Sequence, residues 1–221
     1  MTESFAPRLD ILPPPQRRLW DELAEVPPEF VLYGGTALAL QLGHRESVDF
    51  DFFSERPLDV GRLAPAAPFL ETATVTQREP NALSCIVDRG GAVKLSFFGL
   101  PWLTHLSPPL VAPDNGLQIA SLLDIAAAKA SVVQQRAEAK DYLDIDALLM
   151  AGLALPTVLA AGRAVHGAQF NPQSTLKALS YFEDGNLRRL PESVKDRLRR
   201  AVRDVDLDRL PALRAVQRGT A

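Results

Sequence analysis

The stretch LYGGTALALQLGHRESVDFDFFS, residues 32–54, decides how the chain folds. With Phe30 and Val31 before it, its apolar beginning predicts a buried strand that breaks at Gly34 and Gly35. Thr36 and the run ALALQL then predict one short helix, so the glycines form a strand-turn-helix with backbone N–H groups exposed at the helix N-terminus. That geometry attracts phosphate, although two glycines ahead of a helix also make an ordinary tight turn. From Ser47 to Phe53 the sequence alternates as a strand does. Asp49 and Asp51 therefore share one face, roughly 7 Å apart along the chain, while Val48, Phe50 and Phe52 face the core.

Two carboxylates on one face repel each other and favour a cation between them. A pair of oxygen-liganded Mg²⁺ ions, roughly 3.5–4 Å apart, suits them and leaves positions for water and substrate phosphates. The other reading is a plain solvent-facing strand. A helix of about seven residues is only ~10 Å long, so Asp49 and Asp51 can return close to the glycine turn. Arg45 and Ser47 add a cation and a hydroxyl at the strand entrance, suited to phosphate oxygens. Read together, these residues describe a site for a nucleoside triphosphate (NTP) and Mg²⁺.

The remainder of the chain is compatible with one large domain or two small ones: 221 residues, 47% of them hydrophobic. No run reaches the roughly 20 apolar residues of a membrane span, and MTESFAPRLD lacks the regions of a signal peptide, so a cytoplasmic protein is expected. The single cysteine, Cys85, lies in an apolar stretch and reads as a buried structural thiol. His44, His105 and His166 are too scattered to suggest a zinc site. The net charge of −3 conceals a division: from Asn186 onward there are ten Arg and Lys against five Asp and Glu, a net +5, which leaves −8 on residues 1–185. A basic tail on an acidic body suggests a polyanion such as RNA, while arginine alternating with aspartate also makes an ordinary solvated helix face.

Proline is absent from 29–56 and from 114–155, the two windows where regular structure concentrates. The first part, 1–112, reads as a small mixed sheet with a helix around Pro15 to Glu25 and further strands in LETATVTQRE, ALSCIVD and AVKLSFF, the last two joined through Arg89-Gly90-Gly91. From 113 to 221 the pattern is helical, with Ser121 and Asp124 as a capping signal, Asn171-Pro172 opening another helix and Pro191 a third. The predicted class is α+β, a mixed sheet followed by a helical bundle. In the bundle, Lys129 sits within AAAKASVV with few charged neighbours in the flanking sequence, and Arg136 falls two turns on. Both read either as the wall of a cleft or as surface cations. Asp141 and Asp144 also suit the first turn of a helix, where the macrodipole favours acids.

GGTALALQLGHRESVDFDFF resembles the signature of the nucleotidyltransferase superfamily, and specifically the AbiEii/AbiGii-type nucleotidyltransferase toxin family of prokaryotes. ASLLDIAAAKASVVQQRAEAKDYLDIDALL and LSYFEDG are similar to later motifs of that family, so the resemblance covers roughly Phe30 to Arg200. It implies a nucleotidyltransferase fold, with the helical part completing the active site. It also implies a phosphate-binding turn at Gly34, Gly35 and Thr36, a motif serine at Ser47, metal-binding carboxylates at Asp49 and Asp51, a triphosphate lysine at Lys129 and a catalytic base or third acid at Asp141. Many related polymerases carry a third carboxylate on a later strand, but the outward positions of AVKLSFF hold Lys94, Ser96 and Phe98. Either Asp141 supplies that function or the chemistry is impaired; the first is expected, because an intact Lys129 and Asp141 would have little reason to accompany a dead site.

The activity implied is Mg²⁺-dependent transfer of a nucleoside monophosphate from an NTP to an acceptor hydroxyl, with the tRNA 3′ end as acceptor and an antitoxin protein as partner. The alternatives are transfer to a cationic small molecule, as in antibiotic nucleotidyltransferases, and a nucleotide-binding module without catalysis.

Overall fold

The structure, a computed structural model, describes residues 5–217. They form two compact units, one drawn from 5–104, 108–121 and 217, the other from 105–107 and 122–216. The boundary expected after residue 112 thus falls after Ser121, because 108–121 adds two short strands to the sheet.

In the first unit, α1 (Pro14–Leu19) starts on prolines, which fit a first helical turn because its N–H groups have no intrahelical partner. It tightens into a 3-10 turn over Trp20–Glu25. Next come β1 (Val31–Tyr33), α2 (Gly34–Leu42), β2 (Asp49–Ser54), α3 (Val60–Ala66), β3 (Thr74–Glu79), β4 (Ala82–Asp88), β5 (Ala92–Gly99), β6 (Leu110–Val111) and β7 (Gln118–Ile119). The strands form one mixed seven-stranded sheet in the order β3-β4-β5-β2-β1-β7-β6. β2 lies inside it, antiparallel to β1 and parallel to β5. The β4–β5 hairpin closes as expected: the Asp88 carboxylate accepts from the Gly90 and Gly91 amides at 2.8 and 2.9 Å. β6 and β7, two residues each, were not expected, since neither is long enough to display alternation.

Leu32, Phe52 and Phe97 are register partners on β1, β2 and β5, and all three are fully buried. The Phe52 and Phe97 rings stack at 5.0 Å, and Phe30 meets Phe97 edge-on at 5.4 Å. These aromatics make the core face that the Asp/Phe alternation predicts. Val48 departs from it, being 51% exposed, because β2 begins only at Asp49. At that point Gln16 of α1 donates to the Val48 carbonyl at 2.9 Å. At the outer end of the sheet, all six residues of β3 are exposed, and its pairing with β4 shifts register between Val75 and Gln77.

The second unit is helical: α4 (Leu122–Val132), α5 (Ala139–Met150), α6 (Leu155–His166), α7 (Pro172–Ala178) and α8 (Glu192–Arg203). Asn171 caps α7 by accepting from the Gln173 amide at 3.0 Å. α4 is the hub. Its Ala130 carbonyl accepts from Thr175 of α7 at 2.9 Å, and its Ala127 carbonyl lies 3.2 Å from His166 Nε2 of α6. Among the described residues no single helix is long and apolar enough to cross a membrane.

Burial pushes the His166 imidazole below its ordinary pKa, against the opposing effect of its hydrogen bond to Ala127. The fold therefore holds His166 neutral, and its contribution is complete above the unfolded pKa of about 6.5. As pH falls through 6.5 toward the lower folded value, the unfolded chain takes up the proton first and stability is lost. His166→Gln is expected to flatten the decline in denaturation midpoint between pH 7.5 and 5.5; identical slopes in the two proteins would refute this.

Candidate active site

The glycine turn and the acidic strand meet in the first unit. β1 ends extended at Tyr33, and Gly34 turns the chain with φ +74°, a region that disfavours any residue with a Cβ. A Cβ on Gly34 would lie 2.9 Å from Asp51 Oδ2, so the Asp51 carboxylate rests directly on this glycine. A Cβ on Gly35 would come within 2.3 Å of Arg45 Nη2 and 3.2 Å of Ser47 Oγ. The guanidinium and the hydroxyl therefore cover the first turn of α2, whose preceding residue, Tyr33, provides no side-chain cap. Gly43, at φ +63°, ends the helix and sends the chain back toward β2.

Thr36 locks the return. It is 1% exposed; its hydroxyl donates to the Asp49 carbonyl and shares a hydrogen bond with Ser47 Oγ at 2.8 Å. Arg45 donates to the Glu46 carbonyl at 2.9 Å, which holds its guanidinium over the turn. Gly34, Gly35, Thr36, Arg45, Ser47 and Asp51 are thus brought together, and Asp49 joins them through its backbone. Asp49 and Asp51 are half-buried and share a strand face.

Across that face, Asp49 is level with Lys94 and Asp51 with Ser96 on β5. Lys94 is exposed; Ser96 is buried, its hydroxyl 3.3 Å from that of Ser84. Where a third carboxylate was sought, the strand carries a cation and a hydroxyl. Among the described residues no group of three or more His, Cys, Asp or Glu is arranged to hold a metal. Two carboxylates are nevertheless a fitting set for Mg²⁺, a hard ion that takes one or two of them and completes its shell with water and phosphate oxygens. Cys85 is buried, and its thiol pKa is pushed up to about 11 by burial, which suits a core residue and not a nucleophile.

The second set of expected residues lies in the helical unit, where Lys129 is neither a surface cation nor short of partners. Only 6% exposed, it contacts Asp141 Oδ1 at 2.9 Å and pairs also with Asp144. Arg136 does not continue the α4 face, since α4 ends at Val132. The chain turns there, and Arg136 reaches both oxygens of Asp141, Nε at 2.8 Å and Nη2 at 3.2 Å. Asp141 opens α5 and Asp144 follows one turn later; both are fully inaccessible. Burial pushes the Asp141 carboxyl up, but the hydrogen bonds and charges of Arg136 and Lys129 outweigh it and hold the group below the ordinary carboxylate range. Of this cluster, Arg136 was expected to bind phosphate and Asp144 was given no role at the site; the i, i+3 spacing of Asp144 from Asp141 was the available signal.

The basic C-terminal helix is less free than its composition suggested. Arg197 forms a two-point pair with Asp146 of α5 at 2.8 and 2.6 Å, and Lys195, 8% exposed, bonds Glu192 and the Arg188 carbonyl. Arg199 bonds Asp196 and lies 5.0 Å from the centre of the Phe182 ring. Arg189, Arg200, Arg203, Arg209 and Arg214 remain exposed.

Known proteins share this architecture. The nucleotidyltransferase toxin MenT4 of Mycobacterium tuberculosis H37Rv aligns over 86% of this chain and 83% of its own, with a TM-score of 0.56 and 16% identity. An H. pylori protein whose crystal structure is assigned as a nucleotidyltransferase aligns over 85% of this chain and 89% of its own, with a TM-score of 0.50 and 19% identity. At such identities the likeness concerns the fold, which is that of a nucleotidyltransferase. In sequence, an uncharacterized protein of Aquifex aeolicus (strain VF5) is 35% identical over 119 residues, a match that spans 53% of this chain and only 56% of that relative. The family described as nucleotidyl transferase AbiEii toxin, type IV TA system, matches residues 17–218. By that match, which takes in both the glycine turn with its acidic strand and the Lys129 cluster, the chain belongs to the AbiEii nucleotidyl transferase toxin family.

Proposed function

We propose that this chain transfers a nucleoside monophosphate from an NTP to an acceptor hydroxyl at the 3′ end of tRNA, in the cytoplasm, as the toxin of a type IV-like toxin–antitoxin pair whose antitoxin is a separate protein. The observation that carries this reading is the convergence of Arg45, Ser47 and Asp51 on the Gly34-Gly35 turn. The first-turn amides of α2, the Ser47 hydroxyl and the Arg45 guanidinium bind the β- and γ-phosphates. Asp49 and Asp51 would hold Mg²⁺, which when bound neutralises triphosphate charge and orients the α-phosphate. The acceptor hydroxyl oxygen attacks the α-phosphorus and loses its proton to water, the bond from that phosphorus to the bridging oxygen of the β-phosphate breaks, and pyrophosphate leaves.

The family pattern gives Lys129 to the triphosphate and Asp141 to the acceptor. In this chain Asp141 is fully inaccessible and held ionised by Arg136 and Lys129, which suits it to anchoring those two cations rather than to taking up the acceptor's proton. The exposed arginines, Arg189, Arg200, Arg203, Arg209 and Arg214, supply a cationic surface for RNA phosphates. Support for an antitoxin partner comes from the family alone.

Incubation with Mg²⁺, total tRNA and each α-labelled NTP in turn is expected to label tRNA with at least one nucleotide. Asp49→Asn and Asp51→Asn should each lower the rate at least about 100-fold, the loss typical when a charge-stabilising group is removed from a reacting centre. Pyrophosphate release without labelled tRNA would direct the acceptor to small molecules, and full activity in Asp49→Asn would overturn the metal assignment. Gly35→Ala drives a methyl into the position of the Arg45 guanidinium. It and Arg45→Ala should each raise KM for NTP about tenfold, the worth of one charge-assisted hydrogen bond, and the double variant should be little worse than either alone. Additive losses would show that the two residues do not act as one unit.

A further inference from the structure

The face of β2 that carries the two aspartates does not end at Asp51. Two residues on, Phe53 shares that face. It is level with Phe98 on β5, with the rings stacked at 4.9 Å and 24°, and it meets the Tyr33 ring edge-on at 5.2 Å. Tyr33 is itself the register partner of Asp51 on β1. All three rings are half-buried, whereas Phe50, Phe52 and Phe97 on the opposite face are completely enclosed. These three keep open surface beside a pair of carboxylates, where a flat apolar ligand face can rest on them.

Their order along one strand is informative. Ser47, with Arg45 and Gly35, lies before Asp49; Asp51 follows, level with Tyr33, and then Phe53 with Phe98. Phosphate grip, acid pair and aromatic platform therefore succeed one another in a single direction. A nucleoside triphosphate has the same sequence of parts, from terminal phosphates through the α-phosphate to a flat base. Phe53 and Phe98 lie one same-face step beyond Asp51, roughly 7 Å, a gap that a ribose bridges.

We infer that Phe53, Phe98 and Tyr33 form the stacking platform for the base of the bound nucleoside triphosphate, an inference that rests on the triphosphate reading of the adjoining turn. Stacking uses the π-face common to all bases, so the platform contributes affinity for a nucleoside as such and favours the larger purines.

Calorimetric titration in Mg²⁺ tests this with three probes: ATP, UTP and inorganic tripolyphosphate, which keeps the phosphates and lacks the base. The wild-type protein should bind ATP most tightly and tripolyphosphate most weakly. Phe53→Leu and Phe98→Leu keep apolar volume and remove the π-face. Each should weaken ATP about tenfold, at the lower end of what one lost stacking contact does, and leave tripolyphosphate unchanged. Phe98→Tyr, which restores an aromatic ring, should bind ATP like the wild type. Equal weakening of ATP and tripolyphosphate in the leucine variants would overturn the proposal, because the defect would then lie in the fold. So would unchanged ATP affinity, or a wild-type protein that binds ATP no better than tripolyphosphate. Failure of the underlying triphosphate reading has a different signature: the wild-type protein would bind none of the three probes.

Discussion

Two glycines leave room for two charges. At Gly34 and Gly35 the space that side chains would fill is taken by the Asp51 carboxylate and the Arg45 guanidinium, one from the strand that follows the turn and one from the loop between. This steric constraint fixes the distance at which β1, α2 and β2 can pack. It also sets an anion and a cation against the same short piece of backbone, where a helix N-terminus adds partial positive charge. Thr36 completes the closure from the buried side by tying the helix to the Asp49 carbonyl and to Ser47. Fold and site are the same contact here: the hydrophobic core holds the strands together, but the glycines determine what can lie on top of them.

The helical unit solves a different problem. Lys129, Asp141 and Asp144 are withdrawn from water, and a buried charge is tolerated only when it is paired and hydrogen-bonded. Two cations, Lys129 and Arg136, face two carboxylates, so the cluster is close to neutral as a whole. Removing a single member would leave an uncompensated charge in the interior, whereas the intact set links the end of α4, the chain after it and the first turn of α5. The same logic recurs where Arg197 of α8 closes on Asp146 of α5. Part of the positive charge concentrated near the C-terminus is thus balanced within the fold, and less of it is available to an external partner than a residue tally implies.

Local periodicity was legible, and long-range pairing was not. The Asp/Phe alternation placed Phe50, Phe52, Asp49 and Asp51 on their proper faces because the side-chain period of a strand is a property of the backbone. Extending that alternation back to Val48 failed, since the strand had not yet begun. Lys129 looked isolated because its partners lie 12 and 15 positions away on another helix, and Arg136 looked helical because nothing in the sequence around Val132 announces the end of α4. β6 and β7 carry no pattern of their own; they exist because Leu117 and Ile119 bury themselves beside β1. Phe53 was legible by parity alone, two residues from Asp51, but the meaning of its position depended on knowing that Phe98 and Tyr33 arrive next to it.

The outer end of the sheet has a consequence of its own. β3 presents six exposed residues along an edge where the sheet stops, the arrangement most prone to recruit a strand from another molecule. The slip between Val75 and Gln77 bends that edge out of register, Arg78 and Glu79 charge its end, and Pro80 removes a backbone donor immediately after it. What reads as a flaw in the ladder acts as a guard on colloidal behaviour, keeping an open sheet from serving as a template for its own copies.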